Sequence, residues 1–188
     1  MPKLVETDSE SGEVIVLGLP QVETLWNIIS DPECDFLRSD PLHHEVLTLV
    51  ALLHQSNRSQ WDAEDIARAA GSDAELANAK RTIDTCNAVR VQLIERINTE
   101  FARLIPPSDS VPPLTSQPGV TCDQLSVLKI RLEVAISESG SHIDEQRLNE
   151  VQKTVDGLIA ALEADLADAL AGRRTFSATP VHKIYGKQ

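Results

Sequence analysis

The chain has 188 residues, 29 acidic against 17 basic, giving a formal charge of −12 and an isoelectric point near 4.8. That balance repels phosphate backbones and anionic lipid, which argues against nucleic acid and membrane surfaces as partners. Three cysteines (Cys34, Cys86, Cys122) without a CxxC pair suggest neither a disulfide framework nor a thiolate metal site, and with 3% aromatics the core must come from Leu, Ile, Val and Ala.

The longest apolar run near the start, Val14 to Leu19, is too short for a signal-peptide core, and acidic residues precede it. No other run approaches a membrane span, so the expected location is a reducing cytoplasm. Residues 1–19 read as a flexible or extended N-terminal segment, with the acidic, Ser-rich stretch up to Gly12 unstructured and Glu13 to Leu19 extended. Residues 20–188 read as a single helical domain.

Pro20 suits the first turn of a helix carrying Val22, Leu25, Trp26 and Ile29, ended by Pro32. Asp40 and Pro41 form an N-terminal signal for a long helix with the stripe Leu42, Val46, Leu49, Val50 and Leu53, running to Ala70 and stopped by Gly71. Ser72 with Glu75 reads as a capping box opening a second arm. That arm carries Leu76, Ala79, Ile83, Cys86, Arg90, Leu93, Ile97 and Leu104, and ends at Pro106 and Pro107. The Pro- and Ser-rich segment from Pro106 to Thr121 has no apolar period and is read as a loop. A helix from about Asp123 to Ser137 follows, broken at Gly140. A last helix, capped by Ser141 and Asp144, runs through Leu148, Val151, Val155, Leu158, Leu162, Leu166 and Leu170 to Gly172. Its near-heptad seam suits bundle packing or pairing between subunits, and a homodimer is expected. The fold class is therefore all-α: a helical bundle built on a long antiparallel hairpin, with a second helix pair after the Pro/Ser-rich loop.

In the first long helix the apolar stripe continues at the same spacing into Asn57, Trp61, Glu64 and Arg68, with Asp65 about 100° further round. The second arm carries Lys80, Asp84, Asn87 and Arg90 at three and four, with Arg81 beside them. If the two stripes face each other, the carboxylates Glu64, Asp65 and Asp84 meet Arg68, Lys80, Arg81 and Arg90, since an unpaired charge in a dry interface is too costly to keep. The competing reading is a set of surface ion pairs contributing a few tenths of a kcal/mol each. Trp61 and Asn57 favour a buried network, because a solvated face needs neither. His43 and His44, adjacent on a helix, cannot share one site, and His54 borders the stripe. HExxH, ExxH, P-loop and GxSxG patterns are all absent, so no metal or other cofactor is expected.

Asn57 to Arg68, followed by Lys80-Arg81-Thr82-Ile83-Asp84, Asn87 and Arg90, resembles the bacterial family called Domain of Unknown Function 4254, whose pattern reads loosely W-x-x-E-D-x-x-R, then K-R-x-I-D-x-x-N-Q-x-R. Pro118-Gly119, Asp123-Gln124-Leu125-Ser126, Ala171 to Arg174 and Lys183-Ile184-Tyr185 resemble its later segments, a coverage from about Asp40 to the end. The chain departs from that pattern at Ala88, Gln92, Asn98 and Gln124, where the family tends to have Gln, Asp, Asp and Arg. The resemblance implies a cytoplasmic helical protein, often encoded near glycosyltransferase or envelope-polysaccharide genes, with no mechanism to carry over.

The resulting expectation is a protein of a bacterial biosynthetic pathway that binds, and in one version converts, a polar or anionic small molecule between helices. Asn57, Trp61, Arg68, Lys80, Arg81, Asn87 and Arg90 would hold the ligand, and Glu64, Asp65 or Asp84 would act as acid or base. The alternative is a non-enzymatic adaptor docking a biosynthetic enzyme. A weaker third idea, a chorismate-mutase-like enzyme, rests on Arg81 to Asp84 and Arg90 lying on one helix.

Overall fold

The computed structural model describes residues 5–7, 14–16, 19–31, 43–138 and 145–176. Among them the architecture is an all-α bundle of five helices: α1 (Val22–Ser30), α2 (His44–Ala69), α3 (Asp73–Leu104), α4 (Pro118–Glu138) and α5 (Glu145–Leu170). Two short strands, β1 (Val5–Thr7) and β2 (Val14–Val16), pair antiparallel with Val5 opposite Val16. The extended reading of Glu13 to Leu19 thus coincides with β2, and its partner comes from the stretch expected to be unstructured.

The hairpin of α2 and α3 is the spine. Val46, Leu47, Leu49, Val50 and Leu53 on α2 are buried, while α3 buries Ala79, Cys86, Leu93, Ile97 and Phe101 on one stripe. Between the arms, Ser72 Oγ accepts from the Glu75 amide at 3.3 Å. The Glu75 carboxylate takes the Gly71 N–H at 2.9 Å, one residue earlier than a capping box would have it. Helix α1 lies against α2, α4 and α5 through Val22, Leu25, Ile28 and Ile29. The signals placed at Pro32, Asp40, Pro41, Gly140, Ser141 and Asp144 lie outside the described residues.

Helix α4 begins at Pro118, five residues before the expected start at Asp123. Proline is at home in the first turn, where its missing N–H goes unneeded. Gly119 is there because α4 starts against α3: a Cβ on it would sit 2.4 Å from the Ile94 carbonyl oxygen. The Gly119 N–H donates to Asn98 Oδ1 at 2.8 Å, so a side chain of α3 closes one of the open amides of α4.

The loop between α3 and α4 is held by the segment after α5. Leu114 N–H donates to Thr175 O at 2.8 Å, Thr175 N–H donates to Pro112 O at 3.0 Å, and the Ser108 N–H donates to Thr175 Oγ1 at 2.8 Å. Phe176 is delivered against Phe101, ring centroids 5.9 Å apart. Two residues past the end of α5, Gly172 with a φ of 68° lets the chain reverse. Its heptad seam packs within the bundle: Val155, Leu162 and Leu166 are buried in the common core, and Leu170 is exposed.

Candidate functional site

Halfway along the hairpin the inner face of α2 turns polar where α4 crosses it, and three helices meet. Asp123, one turn into α4 and 5% exposed, accepts from Arg90 of α3 through both oxygens: Nε to Oδ1 at 2.7 Å and Nη2 to Oδ2 at 2.5 Å. Asn57 of α2 donates its amide to Asp123 Oδ1 and to Ser126 Oγ, each at 3.0 Å. Ser126, fully buried one turn beyond Asp123, shares a 3.1 Å hydrogen bond with His54 Nδ1, whose direction follows the imidazole tautomer. One step away, Ser56 Oγ donates to the Cys86 carbonyl at 3.3 Å.

The electrostatics follow from that arrangement. The hydrogen bonds to Asp123 hold the Arg90 pKa above its ordinary value, helped by the Asp123 charge and by Glu64. His54 is driven down to about 4 by burial first, then by the nearby cations Arg58 and Lys129, so it is neutral at pH 7. Both of those cations pair with Glu133, Lys129 at 3.5 Å. Burial, with Asp123 next in sequence, pushes the Cys122 thiol up to about 12.

Above the network on α2 lie Gln60, Trp61 and Glu64. Asn57 bonds the carboxylate that holds Arg90, and Glu64, two turns on, also acts on Arg90. Trp61 sits between them in sequence, on the same face of α2. Gln60 donates to Glu64 Oε1 at 3.0 Å. Its own Oε1 and the Trp61 Nε1–H are buried without a hydrogen-bond partner among the described residues, an acceptor and a donor left over. Asp123 uses two of the three Arg90 nitrogens, and Nη1 has no acceptor among the described residues.

The polar residues proposed from sequence divide into two groups. Asn57 and Arg90 meet at this junction through Asp123, Glu64 acts on Arg90, and Trp61 lies on the same face of α2. Lys80, Arg81, Asp84 and Asn87 are exposed on the outer side of α3, so the two polar stripes do not face each other as expected. The reason is geometric: α3 turns its Ala79, Cys86, Leu93 and Ile97 side inward, and of the polar stripe only Arg90 lies near that edge. Asp65 and Arg68 are exposed at the far end of α2, where Arg68 pairs with Asp65 and, at 3.9 Å, with Glu64. Asp123, Ser126 and His54 belong to the junction although the sequence pattern does not single them out as site residues. A signal was available for two of them: Asp123 and Ser126 are three apart, on one helical face, inside the D-Q-L-S stretch.

A separate open groove of about 420 Å³ lies between the arms nearer the hairpin turn, lined by Ser59, Asp62, Ala63, Ile66, Glu75, Asn78, Ala79 and Thr82. It shares no residue with the network. Among the described residues no set of three or more His, Cys, Asp or Glu side chains is placed to hold a metal, and no helix is long and apolar enough to cross a membrane.

An all-α bundle organised around an internal Arg–Asp pair is the class of protein that this fold and site define. Over residues 47–177 the chain matches the family described as a protein of unknown function, DUF4254, and it belongs to that family. Comparison with curated proteins and with solved structures finds no match.

Proposed function

We propose that the protein binds a polar or anionic small molecule at the junction of α2, α3 and α4, as a cytoplasmic component of a bacterial biosynthetic pathway. The observation that carries this reading is the pair of buried polar atoms without partners among the described residues, Trp61 Nε1 and Gln60 Oε1, one turn along α2 from the Asn57 that bonds the carboxylate holding Arg90. Leaving such atoms unpaired costs about 1–3 kcal/mol each, and a ligand offering an acceptor and a donor removes that penalty. A hydroxylated anion fits best, its acidic group on Arg90 Nη1 and Trp61 Nε1 and a hydroxyl on Gln60 Oε1. Glu64 is the carboxylate placed to exchange a proton with it, should the ligand be converted.

The test is a thermal-shift screen over sugar nucleotides, acyl conjugates and biosynthetic intermediates. A compound at a hundred times its Kd stabilises the wild type by about 2.7 kcal/mol. Trp61→Phe, which removes the N–H donor and part of the ring area, should lose most of that response, whereas an Arg68→Ala, Asp84→Ala double variant should keep it. The reading fails if no compound stabilises the wild type more than Trp61→Phe.

The adaptor reading draws on a different observation. Asn57, Asp123 and Ser126 satisfy one another, as a register-fixing network would, while Ile66, Val91 and Ile136 are each more than half exposed. A stoichiometric protein partner, lost on substitution of those apolar residues, would favour it. Turnover of any substrate by the isolated chain would exclude it.

A further inference from the structure

Helix α3 is the longest element, 32 residues, yet it buries only five of them on one stripe. Among the described helices it packs on α2 and α4, and the side opposite the buried stripe is exposed from Ala74 to Ala88. Along that side, at strict seven-residue steps, run Ala74, Arg81, Ala88, Glu95 and Ala102. Ala74, Arg81 and Ala88 are exposed, Glu95 is half-buried, and Ala102, where the stripe ends, is half-buried with one edge against the bundle core. The order is a palindrome in size and an inverted one in charge: small, cationic, small, anionic, small.

We propose that this stripe is the contact surface for a second copy of the chain, paired antiparallel about a two-fold axis at Ala88. An antiparallel pairing sets each residue opposite the one equally far on the other side of the axis. Ala88 meets its own copy, Ala74 meets Ala102, and each Arg81 meets a Glu95, twice by symmetry. A parallel pairing would set Arg81 on Arg81 and Glu95 on Glu95, so the charges select the direction. The alanines leave room for the backbones to approach, and a seven-residue repeat keeps the seam in register as the helices wind left-handedly. From Ala74 to Ala102 the stripe spans 28 residue steps, about 42 Å at 1.5 Å per residue. Among the described residues the Arg81 guanidinium bonds Asn78 on its own helix, a bond that it can exchange for a carboxylate. The α5 seam is used up inside the bundle, which leaves α3 as the face with a pattern suited to pairing. This pairing is independent of the small-molecule reading.

Sedimentation equilibrium of the full chain tests it. The wild type should be a dimer at micromolar concentration. R81E and E95R should each weaken the dimer at least about tenfold, because each sets like charges opposite one another at both ends of the contact. The double variant R81E/E95R should recover wild-type association, since the exchange restores both pairs. Arg81 is exposed, so R81E should leave the far-ultraviolet spectrum and melting of the monomer unchanged. A wild type that stays monomeric, a dimer indifferent to R81E, or a double variant no better than the singles would each overturn the proposal.

Discussion

Asp123 holds Arg90 by both carboxylate oxygens across the α3–α4 contact, and the same carboxylate accepts the Asn57 amide from α2. One side chain of α4 thereby fixes the angular setting of two others. A slip of either arm by one residue would turn its partner about 100° away and leave a buried charge without its bonds. The apolar contacts of the hairpin, by contrast, tolerate exchange of one Leu, Ile or Val for another.

Asp123→Ala should therefore destabilise the protein by about 2–4 kcal/mol, at the lower end of what breaking a buried pair costs because Arg90 retains partial access to water. Asp123→Asn should lose less, since it can still accept from Asn57 or Arg90. Asp84→Ala, on the exposed side of α3, should stay within about 0.5 kcal/mol of wild type. Urea unfolding at neutral pH orders the three, and a ranking that placed Asp84→Ala first would contradict the placement of both carboxylates.

His54 gives the fold a dependence on acid. Its pKa falls from 6.5 to about 4 in the folded chain, so between those values the unfolded state binds the extra proton and the folded state does not. Stability is complete above pH 6.5 and declines as the pH falls toward 4, by up to about 3 kcal/mol from this group. Exposed carboxylates add their own acid dependence, so the measurement is a difference. Urea midpoints of wild type and His54→Gln, followed from neutral pH to about 4, should converge as the pH drops. Parallel curves would show that His54 titrates normally.

Much of the bundle was legible because its signals are local. The α2–α3 turn was fixed by Gly71, Ser72 and Glu75, and the apolar series Ala79, Cys86, Arg90, Leu93 and Ile97 already named the inner side of α3. That series and the polar one overlap at Arg90, and periodicity alone gives two candidate faces without saying which turns inward. The charged face was the wrong choice for Lys80, Asp84 and Asn87, because Asp123, the partner that draws Arg90 inward, stands 33 residues away. The start of α4 was missed for a related reason. Pro118 and Gly119 look like a break in isolation, and only the closeness of Ile94 explains the glycine.

Cys122 and Cys86 should be inert in the native protein. Both are buried, and the Cys122 thiol, pushed up to about 12, holds almost no thiolate at neutral pH. Labelling with a neutral thiol reagent, followed by peptide mass spectrometry, should find both cysteines protected until urea unfolds the chain, their rates then tracking global opening. Rapid labelling of Cys122 without urea would mean that the α4 contact opens locally.

The approach of α4 to α3 at Gly119 gives the sharpest steric prediction. A methyl group there would meet the Ile94 carbonyl oxygen at 2.4 Å and Asn98 Oδ1 at 2.9 Å, and the first of these is backbone, which cannot swing aside. Gly119→Ala should cost about 2–4 kcal/mol, as overpacking does where the neighbour is rigid, although alanine is the better helix former by about 1 kcal/mol. Asn98→Ala should cost about 1 kcal/mol, the worth of a cap to an open helical amide. Asn98→Asp, which installs the residue the family tends to have, should hold or gain up to about 0.5–1 kcal/mol through its charge beside the N-terminus of α4. That gain should fade with added salt and as the new carboxylate is protonated below about pH 4, so urea midpoints in low and high salt separate a charge effect from a packing one. A Gly119→Ala variant as stable as wild type would mean that the two helices do not meet at this distance.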